Sequence, residues 1–139
     1  MIDKPTRFPH ILPVDVPVLM RWIDLHQHEI NSIDFDVRVG EGRPAPPETP
    51  PNLRTMALDL SKRRIDVVAY FPTWIAIIEV TRIAGFTALG QLMIYPTLYK
   101  QTFSPGLDVI PLLVCEELMP DVRPVITDLG IRYEVLPAS

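Results

Sequence analysis

An α/β domain with a mixed central sheet flanked by helices is what this sequence predicts, and three observations predict it. Two apolar runs, RRIDVVAY and the stretch Ile75 to Val80, flank Phe71-Pro72-Thr73-Trp74, a tight turn with proline at its second position. After a helical stretch comes a third apolar run, Leu107 to Val114, so strand, crossover helix and buried strand follow one another as in a parallel right-handed unit. Ahead of the hairpin, Ile33, Phe35, Val37 and Val39 alternate with Asp34, Asp36 and Arg38, the period of a half-buried strand.

Each element follows in order. Residues 1–14 have no period and are expected to form an extended arm, of the kind that in oligomers lies on a neighbour. Residues 15–139 then read as one domain. Asp15 can cap a helix, Pro17 suits its first turn, and Val18, Leu19, Trp22, Ile23 and Leu25 make its apolar stripe, with an end expected near Ile30 or Asn31. The alternating strand puts its four apolar residues on one face and stops at Gly40 and Gly42. Residues 43–52, RPAPPETPPN, read as a polyproline-like connection, with a PxxP ligand as the alternative. Leu53 to Leu60 is ambiguous. Beyond the hairpin, Ile83 to Phe103 has helical spacing, and Pro96 predicts a kink or restart within it. Asp121 to Leu129 is a short helix closed by Gly130 at the C′ position, and IRYEVLP alternates as a last edge strand.

Composition bounds the function. A chain of 139 residues can bury roughly two thirds of its unfolded surface without metal or disulfide. Its single cysteine, Cys115, reads as a core thiol. Thirteen Lys plus Arg against seventeen Asp plus Glu leave a charge of −4, which argues against broad sequence-independent nucleic-acid binding but permits a local patch such as Lys62-Arg63-Arg64. A solvated strand entrance explains those three equally well. No signal-peptide pattern and no run of about 18 apolar residues is present, so no membrane partner is expected, and the chain reads as intracellular or incorporated into a virion. His26 and His28, two apart on a helix, do not face each other as a zinc pair would. No glycine-rich phosphate loop or GxSxG elbow occurs, and Trp22 and Trp74 read as packing residues.

The hairpin carries one acid on each strand. A turn centred between Pro72 and Thr73 sets Asp66 directly across from Glu79, on one face, with β-carbons about 5 Å apart. Two such carboxylates repel unless one is protonated or a cation lies between them. A divalent ion with a preference for hard oxygen ligands, Mg²⁺ or Mn²⁺, would supply that cation.

Asp66, then Glu79-Val80-Thr81 on the same hairpin, then Gln91-Leu92-Met93-Ile94-Tyr95 on the next helix resemble the PD-(D/E)xK nuclease superfamily, and QLMIY resembles the QxxxY motif of its RecB and lambda-exonuclease-like branch. The resemblance covers Asp15 to Leu136. It implies a restriction-endonuclease-like αβββαβ core, with an extra C-terminal helix and edge strand appended here. It also implies that Asp66, Glu79 and the Val80 carbonyl hold the metal, that Gln91 and Tyr95 lean over the site, and that Glu29 corresponds to an additional acid found in some members. In active members the metal polarises a phosphoryl oxygen and generates the attacking hydroxide.

Where the superfamily places a lysine, this chain has Thr81. A neutral hydroxyl can neither position the attacking water nor neutralise developing charge, and losing such a contact typically costs two or more orders of magnitude in rate. Arg64, on the Asp66 face, is the nearest substitute, a good phosphate holder but a poor proton-transfer group. A plainer alternative pairs Glu79 with Arg64 across the strands. The expected function is a nuclease-like domain with a degenerate site, serving as a structural or assembly module among protein subunits or copies of itself, a phage particle being one setting. Metal-dependent DNA cleavage through Asp66 and Glu79, with DNA as partner, is the alternative.

Overall fold

The computed structural model describes residue 8 and residues 10–60 and 62–138. The chain runs α1 (Val16–His26), β1 (Ser32–Val39), α2 (Pro51–Leu60), β2 (Arg63–Tyr70), β3 (Trp74–Ala84), α3 (Phe86–Phe103), β4 (Asp108–Leu118), α4 (Val122–Leu129) and β5 (Arg132–Val135). Five strands form one sheet in the order β1-β2-β3-β4-β5. The β1-β2 and β2-β3 pairs are antiparallel, while β3-β4 and β4-β5 are parallel. The mixed sheet predicted from the hairpin and the crossover is therefore present.

Alternation divides the core between the two faces. Val67, Ala69, Ala76, Ile78, Leu112 and Val114 point towards α1, whose Leu19, Trp22 and Ile23 are fully buried against them. Leu113 and Cys115 point the other way, towards α3 and α4. Each of the Val, Leu and Ile side chains among these contributes about 1.5–3 kcal/mol by leaving water. Burial also pushes the Cys115 thiol up to about 11, so it sits in the core as an inert group. Arg21 ties α1 to the far strands through Glu116 at 2.9 Å and the Leu136 carbonyl at 3.2 Å.

Several expectations are corrected. α1 stops at His26, because residues 27–29 turn and the Asn31 N–H is taken by the Tyr70 carbonyl at 2.8 Å, the entry to β1. The proline-rich connection is shorter than 43–52, since Pro51 and Asn52 start α2, where a proline's missing N–H costs nothing. Arg54 of that helix folds back onto the carbonyls of Thr49 and Pro47. Ile83 belongs to β3, and Pro96 lies inside one continuous helix, buried against the sheet, rather than starting a new one. Ile33 and Phe35 join the α1 side, whereas Val37 and Val39 join the α3 side. Asp36 between them has φ 56°, and this left-handed residue rotates the strand, so its four apolar positions do not share a face. Most of the arm, residues 1–7 and 9, lies outside the described residues. Of its described part, Phe8 meets Phe35 edge-on and Ile11 is buried, both on this chain's own core.

Candidate functional site

The hairpin turn is closed by Phe71 N–H donating to the Trp74 carbonyl at 2.9 Å, with Pro72 fixing its first central residue. Its register pairs Tyr70 with Ile75 and Val67 with Ile78, and the paired ladder ends there, one residue short of Asp66 on β2 and of Glu79 on β3. Both acids line one cleft of about 340 Å³, together with His10, Asp15, Val80, Thr81 and Gln91. β2 and β3 form its floor. The first turn of α3, Phe86 to Ala88, forms one wall, and the segment entering α1 forms the other.

Burial dominates the electrostatics of this cleft, and the mutual repulsion of its acids comes second. Glu79 is only 9% exposed, and burial, the charge of Asp66 and the charge of Asp15 together push its carboxyl up to about 8. Burial raises Asp66 to about 6; His10 pulls against that, while Asp36 and Asp15 add to it. Among the described residues, no lysine or arginine lines the cleft. Gln91 supplies the one close donor. With its amide nitrogen turned to the acid, it donates to the Glu79 oxygens at 2.7 and 3.1 Å, and its other amide atom lies 3.4 Å from the Tyr95 hydroxyl. One turn of α3 thus carries both residues on the face that looks at Glu79. Tyr95 stands one step back, packed among Val68, Ile77 and Tyr99.

Thr81 also lines the cleft, but its hydroxyl donates to the Ile83 carbonyl at 3.2 Å, so it offers the acids no charge and no free proton. Arg64 does not line it. Its guanidinium lies against the His10 ring and 3.7 Å from an Asp36 oxygen, so it pairs with Asp36 and not with Glu79. Arg63 turns to another hollow, beside Gly40 and Leu98, and Lys62 lines neither. The run Lys62-Arg63-Arg64 is therefore split between two surfaces. Glu29 stands elsewhere too, bonded to His26 at the far end of α1. His26 and His28 line a separate cavity described below.

Two cleft residues have no counterpart in the sequence reading of the site. Asp15 is placed as a helix cap by its position, yet its side chain makes no capping bond. It accepts the Arg82 backbone N–H at 2.7 Å and so ties the start of α1 to β3 just beyond Thr81. His10 comes from the arm, where no pattern marks it. A polar residue standing just before a helix and able to reach a strand of the opposite half of the chain gives no local signal.

Residues present suit a divalent cation in a limited way. Asp66 and Glu79 offer carboxylate oxygens in one cleft that no described Lys or Arg lines, and Val80 lines the same cleft. Asp15 does not complete a set, for no group of three or more His, Cys, Asp or Glu able to hold a metal occurs among the described residues. A Mg²⁺-type site using two carboxylates and several waters fits such a donor set. No helix among the described residues is long and apolar enough to cross a membrane.

No family model and no curated protein matches the chain. Solved structures do. The chain is similar to a repair endonuclease from Pyrococcus abyssi, at 14% identity and a TM-score of 0.50, over 94% of this chain and 50% of that one. It is also similar to EndoMS in a complex with double-stranded DNA, at 14% identity and a TM-score of 0.53, over 99% of this chain and 50% of the other. Likeness at this level shows a shared fold, the restriction-endonuclease-like sheet flanked by helices, and the chain spans about half the length of those two structures.

Proposed function

We propose that this nuclease-like domain keeps a cleft for a divalent cation and a phosphate-bearing partner but works by binding rather than by rapid cutting. The observation that carries this reading is the cleft's content. Two acids share the cleft with Thr81, which stands where the resemblance to the superfamily expects a lysine, and no Lys or Arg is among the described lining residues. Asp66, Glu79 and the Val80 carbonyl would hold Mg²⁺ or Mn²⁺, and the bound ion would supply Lewis-acid polarisation of a phosphoryl oxygen. Gln91 fixes the Glu79 carboxylate, and Asp15 fixes the strand segment that carries Thr81 and Arg82. None of these groups can replace a cation that steadies the attacking water and the developing charge.

As a module of this kind the domain would serve in a larger assembly of protein subunits, a phage particle among the settings, with DNA as a further partner. Phe86, Met93 and Ile94 support that role. They stand 70%, 56% and 56% exposed on α3, more apolar surface than a helix lying wholly against solvent needs.

Thermal unfolding of metal-stripped protein tests the cleft. Millimolar Mn²⁺ or Mg²⁺ is expected to raise the melting temperature, by an amount equivalent to about 2.7 kcal/mol at a hundredfold excess over Kd, and Glu79→Ala is expected to abolish the rise. Supercoiled DNA with Mn²⁺ tests the chemistry. Wild-type protein should nick it at least about a hundredfold more slowly than Thr81→Lys, in which the missing cation is restored. Efficient nicking by the wild type would favour the second reading, a metal-dependent DNA endonuclease or exonuclease with Arg64 near the rim. The observation on its side is the Gln91 bond to Glu79, which preserves a preorganised acid.

A further inference from the structure

At the turn end of the sheet, on the α1 side, lies a second cavity of about 750 Å³ that none of the groups above uses. Its polar and aromatic groups form an ordered construction. Phe71 and Trp74 stack with ring centroids 4.3 Å apart and planes 8° from parallel. Over the Trp74 ring, 4.7 Å from its centroid, lies the Arg132 guanidinium at the start of β5. The two stacked rings and the guanidinium over one of them make a column, and the exposed Arg132 side chain lines the cavity.

The opposite wall is hydrogen-bonded. Glu134 accepts from Trp22 Nε1 at 2.8 Å and contacts His26 Nε2 at 2.7 Å, while Glu29 holds the other ring nitrogen of His26. Both carboxylates are therefore engaged by hydrogen-bonding neighbours. Trp74 packs partly against the α1-side core, as its sequence context suggests, and the turn that closes the hairpin also presents its ring to this column.

We propose that this cavity binds an unpaired nucleotide of a DNA strand, its base adding a layer to the Phe71-Trp74-Arg132 column and its phosphate meeting the Arg132 guanidinium. A guanidinium laid on an aromatic ring is both a stacking plane for a base and a charge-assisted donor to phosphate. The volume lies in the range of small-molecule sites and holds one or two nucleotides. An apolar peptide anchor would fill the greasy part of the cavity but would leave the guanidinium plane without a use, so the column favours the base. The choice of ligand rests on the DNA-partner reading given above; the site itself is independent of the acid cleft.

Full-length protein in EDTA, at about 50 mM salt, is titrated with unlabelled twelve-residue oligodeoxythymidylate while tryptophan emission is followed. Quenching is expected, because a base on the column lies close to Trp74 whereas Trp22 is buried. Arg132→Lys keeps the charge but not the plane, so its affinity should fall about tenfold or more with the melting temperature unchanged. A twelve-base-pair duplex should bind at least about tenfold more weakly than the single strand. The proposal is overturned if no quenching develops, if Arg132→Lys binds as the wild type does, if duplex competes equally, or if an apolar peptide displaces the strand's place without being displaced by it. Glu79→Ala should leave the quenching intact, which separates failure here from failure of the acid cleft.

Discussion

Glu79 and Asp66 show how one backbone turn sets a chemical problem. The folded chain holds the Glu79 proton more tightly than an unfolded one does, up to about 8 against an ordinary 4.5. Between those values the unfolded state binds fewer protons, so stability is fully present below about 4.5 and declines as pH rises towards 8. Chelated protein should accordingly lose on the order of a few kcal/mol across that window. Melting curves from pH 4.5 to 8 check this, and Glu79→Gln should flatten most of the slope. His26 works in the same direction. Burial lowers its pKa, but the bonds to Glu29 and Glu134 outweigh that and raise it above 6.5, so its contribution is present below 6.5 and fades as pH climbs through the raised value. His26→Gln in the Glu79→Gln background should reduce the slope further, leaving below about pH 6 the part that belongs to Asp66, itself raised to about 6. Mn²⁺ is expected to reverse the decline in the wild type alone, because an ion between the acids replaces the proton.

At the scale of elements, the hairpin, the crossover helix, α4 and the edge strand were legible because each depends on local chemistry: a proline in a turn, a period, a glycine after a helix. Gly130 closes α4 at φ 67°, donating its N–H to the carbonyls of Ile126 and Thr127. No atom lies within 4 Å of where its β-carbon would be, so Gly130→Ala should cost only the left-handed backbone penalty, about 1 kcal/mol, read from the urea midpoint. Other features could not be read locally. The face switch in β1 depends on a left-handed Asp36, which leaves the apolar alternation of the sequence untouched. Asp15 looks like a cap because capping is the usual role of an acid there, yet its partner is 67 residues away. α2 was ambiguous because most of its described side chains are exposed, and no stripe had to form. Half the candidate site, the acids and Gln91, was legible from a turn and a helical spacing; the half supplied by the arm and by the entry to α1 required tertiary contact.

For the molecule as a whole, α1 is the element that joins the two halves of the sheet. Trp22 is completely buried while its indole nitrogen serves Glu134 on the last strand. Trp22→Phe keeps most of the packing but removes the donor to one Glu134 oxygen, leaving His26 on the other, and should cost about 1 kcal/mol or more, measured by denaturant unfolding. Hydrogen exchange should follow the same architecture, slowest in the central β3 and fastest in α2 and β5. The two-residue bend at Pro72 has one more consequence. It makes the repelling acids near neighbours along the polymer, so they approach as soon as that short loop closes, well before the distant parallel pairings can form. If this ribbon belongs to the nucleus, acidification will accelerate refolding while leaving the unfolding limb of a chevron nearly unmoved, and the pair of acids will have been acting all along as a brake on the chain's own maturation.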